Sequence, residues 1–194
     1  MRTFIAVPTT TEIRARVAAL IEHLGSAGAS VKWVRPEQVH FTLKFLGEVA
    51  DEATPEVCER VAGAAGGVAP FDVHVQGVGA FPRPTRPRTI WLGAATGAQQ
   101  MVALHRAVDE ALLPMGFRRE QRPFLPHLTV GRLRSGGPQV AALAALLERH
   151  ADYGGGTIHV QEVVVMASFL DRSGPTYQPL GRVPLGGGRE RKDV

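Results

Sequence analysis

Two short runs constrain this chain more than anything else in it: Val39-His40-Phe41-Thr42-Leu43-Lys44-Phe45-Leu46 and Pro126-His127-Leu128-Thr129-Val130. In an extended strand successive side chains point to opposite faces. His and Thr of each triplet therefore project together, while Phe41, Leu43, Leu128 and Val130 project the other way. Such alternation specifies two half-buried strands, each with one imidazole and one hydroxyl on its open face. Side by side, they would surround a small pocket with two imidazoles and two hydroxyls, a set suited to acid–base chemistry on a phosphate. With 7 His in 194 residues, random placement gives fewer than one His-x-Thr triplet, and the chain has two in similar apolar, proline-preceded settings. The other histidines, His23, His74, His105, His150 and His159, have no Thr two positions on and read as structural residues.

Burial is not limiting, because 44% of the residues are hydrophobic. Phe4, Trp33, Phe41, Phe81 and Tyr177 read as packing residues. No apolar run approaches the roughly 18 residues of a membrane span, and the apolar part of Met1 to Pro8 is short for a signal peptide. A soluble, cytoplasmic protein is the expectation. Cys58 is the one cysteine, which excludes an internal disulfide or a cysteine metal cluster, and it reads as a packing residue. The formal charge of +4 and pI near 9.8 permit an anionic partner.

Around the two strands, the chain reads as follows. Thr3 to Val7 is a buried strand closed by Pro8, and Thr9, Thr10 or Thr11 caps a helix ending at Gly25. Trp33 to Pro36 leads into the first His strand, which ends at Gly47. Pro55 to Ala65 is a second helix. Phe71, Val73 and Val75 alternate as a strand should, with Gly77 and Gly79 marking a bulge. Phe81 to Arg88 reads as a proline-stiffened loop carrying Arg83, Arg86 and Arg88, before a strand from Thr89 to Gly93. Helical spacing predicts Ala98 to Leu113, broken at Pro114 and Gly116, and again Val140 to His150. Gly154 to Gly156 reads as a flexible turn, Thr157 to Leu170 as one long strand, and Tyr177 to Val183 as its partner. The expected arrangement is α+β: two pseudo-symmetric lobes, each an antiparallel sheet with helices outside, and a cleft between the sheets. Residues 1–185 are expected to form one bilobal domain and 186–194 a flexible tail.

At these residues the chain resembles a known family. Arg2-Thr3-Phe4-Ile5-Ala6, the run from Trp33 to Gly47, Gly79-Ala80-Phe81-Pro82, Trp91-Leu92-Gly93, the run from Phe124 to Arg132, and Gly174-Pro175-Thr176-Tyr177 look like the two-histidine phosphoesterase superfamily. Within it they are most similar to the RNA 2',3'-cyclic phosphodiesterases, once called 2'-5' RNA ligases. The resemblance implies hydrolysis of a terminal RNA cyclic phosphate to a 2'-phosphate, with no metal or cofactor. It implies His40 as the proton donor to the leaving 3'-oxygen and His127 as the proton acceptor from water. Thr42 and Thr129 would bind the phosphate, with Arg132 as an added donor. Because Arg132 follows His127 by five positions, an ideal strand would turn it to the wrong face, so its role requires a twist or bulge. RNA with a cyclic end is the expected partner and a monomer the expected state. Alternatives remain: a phosphodiesterase or ligase acting on 2'-5' linked RNA or small cyclic nucleotides, or a basic RNA-binding module without turnover. Seven scattered His with no paired ligand spacing make a metal protein the weakest.

Overall fold

Thr10, in extended backbone conformation, accepts the Ile13 N–H through its hydroxyl and starts the first helix, which buries Ile13, Val17, Leu20 and Leu24 on one stripe. The later helices bury apolar stripes in the same way but without a side-chain cap in the computed structural model, which describes residues 1–171 and 174–186. In chain order the elements are β1 Arg2–Pro8, α1 Thr11–Gly25, β2 Val31–Trp33, β3 His40–Glu48, α2 Thr54–Gly66, β4 Phe71–Arg83 and β5 Arg86–Ala94. They continue with α3 Ala98–Leu112, β6 His127–Leu133, α4 Gln139–Arg149, β7 Gly154–Val160, β8 Glu162–Asp171 and β9 Gly174–Pro184. No helix among the described residues is long and apolar enough to cross a membrane.

The strands lie in the order β7-β4-β5-β6-β3-β1-β8-β9, all neighbours antiparallel, with β2 also paired to β6. The α+β two-lobed arrangement is therefore present, four main strands to a lobe. The lobes touch in the sheet through a single paired position, Phe41 with Leu128. Both side chains at that joint are fully buried. Helices cover this buried face and leave the other open: α1 and α4 pack on β7, β4 and β5, while α2 and α3 pack on β8, β9 and β3. Two helices cross over: α1 follows β1 but packs on β7, and α3 follows β5 but packs on β3.

Three local expectations change. Phe81 to Arg88 is the tip of the β4–β5 hairpin rather than a loop, with Pro82 opposite Pro87 and Arg83 opposite Arg86. Gly154 to Gly156 opens β7 rather than forming a flexible turn. Gly155 is there for close approach, since a Cβ would stand 2.6 Å from Val75 Cγ1. The long strand from Thr157 divides at Gln161 because its two pieces serve different lobes, β7 against β4 and β8 against β1. A bulge at Gly77 is present, where the β4–β5 register shifts between Val75 and Val78 and Gly77 has φ of 85°. The expected tail lies, beyond Gly186, outside the described residues.

Beneath β3, Lys44 and Asp109 form an ion pair, 8% and 4% exposed, and Lys44 Nζ also donates to the Arg118 carbonyl at 2.8 Å. Beside it His105 Nδ1 meets the Leu43 carbonyl at 2.9 Å, and its ring stacks on Phe124 at 4.2 Å. The cluster ties β3 to α3 and to the connection that leads into β6. Asp109→Ala leaves an ammonium buried without its counter-charge and is expected to cost about 3–5 kcal/mol in denaturant unfolding. A Lys44→Met/Asp109→Leu double variant should recover most of that loss, because neither charge is then stranded.

Candidate active site

The alternation of β3 places His40 and Thr42 on the open face, with Phe41 and Leu43 in the core. In β6 His127 and Thr129 share the open face, with Leu128 and Val130 below. Because Phe41 pairs with Leu128 in the antiparallel sense, one step either way brings His40 alongside Thr129 and Thr42 alongside His127. The two imidazoles then lie diagonally across this joint, each with the hydroxyl of the other strand on its side of the buried pair.

Both histidines are oriented by the same device. His40 Nδ1 meets the Gln38 carbonyl at 2.7 Å, and His127 Nδ1 meets the Leu125 carbonyl at 2.7 Å, each two residues upstream. A carbonyl only accepts, so each ring must carry its proton on Nδ1 and leave Nε2 as the titrating nitrogen. Among the described residues neither Nε2 has a hydrogen-bond partner, and neither do the Thr42 and Thr129 hydroxyls.

Burial lowers the pKa of both imidazoles, since desolvation penalises the charged form, while the backbone carbonyl of each opposes the shift. For His127 the Arg132 guanidinium lowers it further. Native imidazoles thus bind protons only at lower pH than their unfolded counterparts, whose value is near 6.5. Their contribution to stability is present above that value and is lost as pH falls through the lower native ones.

Arg132 reaches this face because β6 bulges. Thr129 pairs with Trp91 and Gly131 with Ile90, so Val130 is the extra residue, and Val130 and Gly131 are buried in succession before Arg132 emerges. Gly131 is required at that point, where a Cβ would stand 2.7 Å from the Trp33 ring. Arg132 donates to Thr89 Oγ1 at 3.2 Å, and its charge also acts on Tyr177, whose pKa burial raises and Arg132 partly offsets. It therefore stands within electrostatic range of both lobes. An equivalent bulge occurs in β3, where Ala6 pairs with Thr42 and Ile5 with Lys44, and it brings Phe45 to the open face, 72% exposed.

Aromatic rings wall the site, and three of them, Phe4, Phe81 and Tyr177, read from the sequence first as packing residues. Phe4 stacks on His40 at 4.8 Å and Tyr177 meets it edge-on at 5.4 Å; Phe81 meets His127 edge-on at 5.1 Å, with Trp91 at 6.4 Å. The orienting carbonyls of Gln38 and Leu125 escape sequence reasoning as well, since a backbone acceptor has no residue signature. The shared i–2 spacing from each His is the one available clue. The five anticipated residues, His40, Thr42, His127, Thr129 and Arg132, all come to one face of the β3–β6 junction.

Comparison with known proteins agrees with the internal symmetry. The family model described as LigT like Phosphoesterase matches twice in succession, over residues 7–91 and 92–177, so each match contains one His-x-Thr strand. The chain belongs to this phosphoesterase family. A relative from Aeropyrum pernix, named RNA 2',3'-cyclic phosphodiesterase, is 36% identical over 168 residues, covering 87% of this chain and 94% of its own. One of the same name from Methanothermobacter thermautotrophicus is 37% identical, with 91% and 95% covered. Among solved structures, TT0787 of Thermus thermophilus superposes with a TM-score of 0.81 at 26% identity, covering 97% of this phosphoesterase and all of that chain. Escherichia coli LigT complexed with 3'-AMP shares the fold at a TM-score of 0.74 and 23% identity, with 95% and 97% covered.

Replacing Arg132 by Gln removes a positive charge beside His127 alone. The NMR titration midpoint of His127 is expected to rise toward 6.5 while that of His40 stays in place. Equal movement of both, or of neither, would contradict the assigned position of Arg132.

Proposed function

We propose that this phosphoesterase opens the terminal 2',3'-cyclic phosphate of RNA to a 2'-phosphate, with His40 and His127 as acid and base. The observation that carries the reading is the pair of imidazoles, each locked through Nδ1 to a carbonyl two residues upstream, with both Nε2 atoms left to react on one face. The names of relatives at 36% and 37% identity support the substrate.

In the proposed step His127 Nε2 takes a proton from water as the water oxygen bonds to phosphorus. The bond from phosphorus to the 3'-oxygen breaks on the opposite side, and protonated His40 delivers its Nε2 proton to that oxygen. The products are a 2'-phosphomonoester and a free 3'-hydroxyl, with His127 left protonated and His40 neutral. Thr42 and Thr129 donate to the non-bridging oxygens, and the Arg132 fork exchanges its Thr89 contact for the charge that builds there.

The division of roles is the one the family resemblance implies. A bound phosphate anion raises the pKa of both imidazoles, but Arg132 continues to oppose this at His127. The Arg132 charge, which disfavours protonation of His127, supports that ring as the base.

The deciding experiment incubates chelator-treated protein with a short RNA ending in a 2',3'-cyclic phosphate and locates the product phosphate by mass and phosphatase sensitivity. A 2'-phosphate is expected, and His40→Ala and His127→Ala should each lower kcat on the order of 10²-fold or more. A bell-shaped profile is expected for both kinetic parameters. That of kcat/KM, which reports the free protein with both imidazoles lowered, should lie to the acid side of that of kcat, which reports the phosphate-bound state. A 3'-phosphate product, or one dispensable histidine, would remove the scheme.

A further inference from the structure

At the β4–β5 hairpin tip Arg83 lies directly opposite Arg86, a like-charge cross-strand pair that is destabilising on its own. Arg88 follows two residues on, and Arg134 emerges at the end of β6. All four are exposed, and none has an ion-pair partner among the described residues, although carboxylates pair with Arg60, Arg119 and Arg182 elsewhere. Arg86, Arg88 and Arg134 line one open cavity of about 310 Å³, together with Pro87, Leu133 and Val140 of α4. Guanidinium groups gathered around an open cavity without carboxylate partners make it basic and suited to an anion.

The position of the cavity says which anion. Strand β6 leads from His127 and Thr129 through Arg132 to Arg134, so the cavity lies at the far end of the strand that carries half of the site. At about 3.3 Å per residue, Arg134 is roughly 15 Å beyond Thr129. The space between is also basic. Lys32 of β2 pairs with Arg132 and so shares its face, and the Arg134 N–H continues that ladder to the Ser30 carbonyl at 2.8 Å. A single nucleotide held by its phosphate at the histidines does not reach so far, whereas a strand with further phosphates does.

Resting on the phosphodiesterase reading, we infer that the Arg86, Arg88 and Arg134 cavity is a subsite for an internal phosphodiester of the substrate, upstream of the cyclic end. The preferred substrate is then an RNA chain of several nucleotides rather than a cyclic mononucleotide. Bonding there is to phosphate oxygens, so it adds affinity and salt dependence without base selectivity.

The test measures kcat/KM against salt for adenosine 2',3'-cyclic phosphate and for an oligoribonucleotide ending in the same cyclic nucleotide, with wild type and an Arg86→Gln/Arg88→Gln/Arg134→Gln variant. Wild type is expected to prefer the oligonucleotide on the order of 10-fold or more through KM, with a steeper salt dependence. The variant should lose that preference and flatten the log–log salt slope by roughly 0.7 for each phosphate contact removed. Its turnover of the mononucleotide should stay within about twofold, since no group at the histidines has changed. An oligonucleotide KM untouched by the triple change overturns the subsite, as does an equal fall for both substrates, which would mark a structural role. Wild type opening both substrates with equal efficiency overturns the subsite alone. Wild type opening neither overturns the underlying phosphodiesterase reading and this inference with it.

Discussion

The candidate site depends on the antiparallel pairing of Phe41 with Leu128. Both side chains are fully buried, and this pair is where the sheets of the two lobes join. Hydrophobic burial of the two sets the register, because a slip of one residue would turn Phe41 and Leu128 to the open face and the histidines into the core. Register in turn decides the chemistry: the groups flanking the buried pair are His40, Thr42, His127 and Thr129. The buried pair and the site are therefore adjacent residues on opposite faces of the same strands.

Symmetry is kept where orientation matters and broken where charge matters. Each histidine hangs from a carbonyl two residues upstream, and each strand bulges just after its threonine. The fifth residue after histidine then emerges on the open face, and there the lobes diverge into Phe45 and Arg132. The guanidinium beside His127 disfavours protonation of that ring, a charge that His40 lacks. The exchange of helices between lobes, with α1 on β7 and α3 on β3, holds the two frames against each other.

Polar burial supports the same region from below. The bulge in β3 releases the Leu43 carbonyl to His105 and turns Lys44 inward to Asp109 and the Arg118 carbonyl. These contacts link the strand of His40 to the connection ahead of His127. His105 reads from its sequence setting as a structural residue, and its stacking on Phe124 and bond to Leu43 give that reading its content. Lys44 does not stand out in the sequence, because a lysine in a strand beside alternating apolar residues looks like a solvated position until the bulge inverts it.

By itself the sequence determined the alternation of the two His strands, the apolar stripes of the helices and the residue types at the site, because these depend on local periodicity and on side-chain chemistry. It also stated the condition for Arg132, a bulge, without being able to locate it. Only the tertiary structure decided which strands meet, that Phe41 faces Leu128, that Val130 is the extra residue, and that Gly155 serves close packing rather than a turn. It also decided that the arginine-rich segment is a hairpin tip beside the end of β6. Each of these depends on contacts between residues distant in the chain, where burial and steric fit of the partner, not local preference, select the conformation.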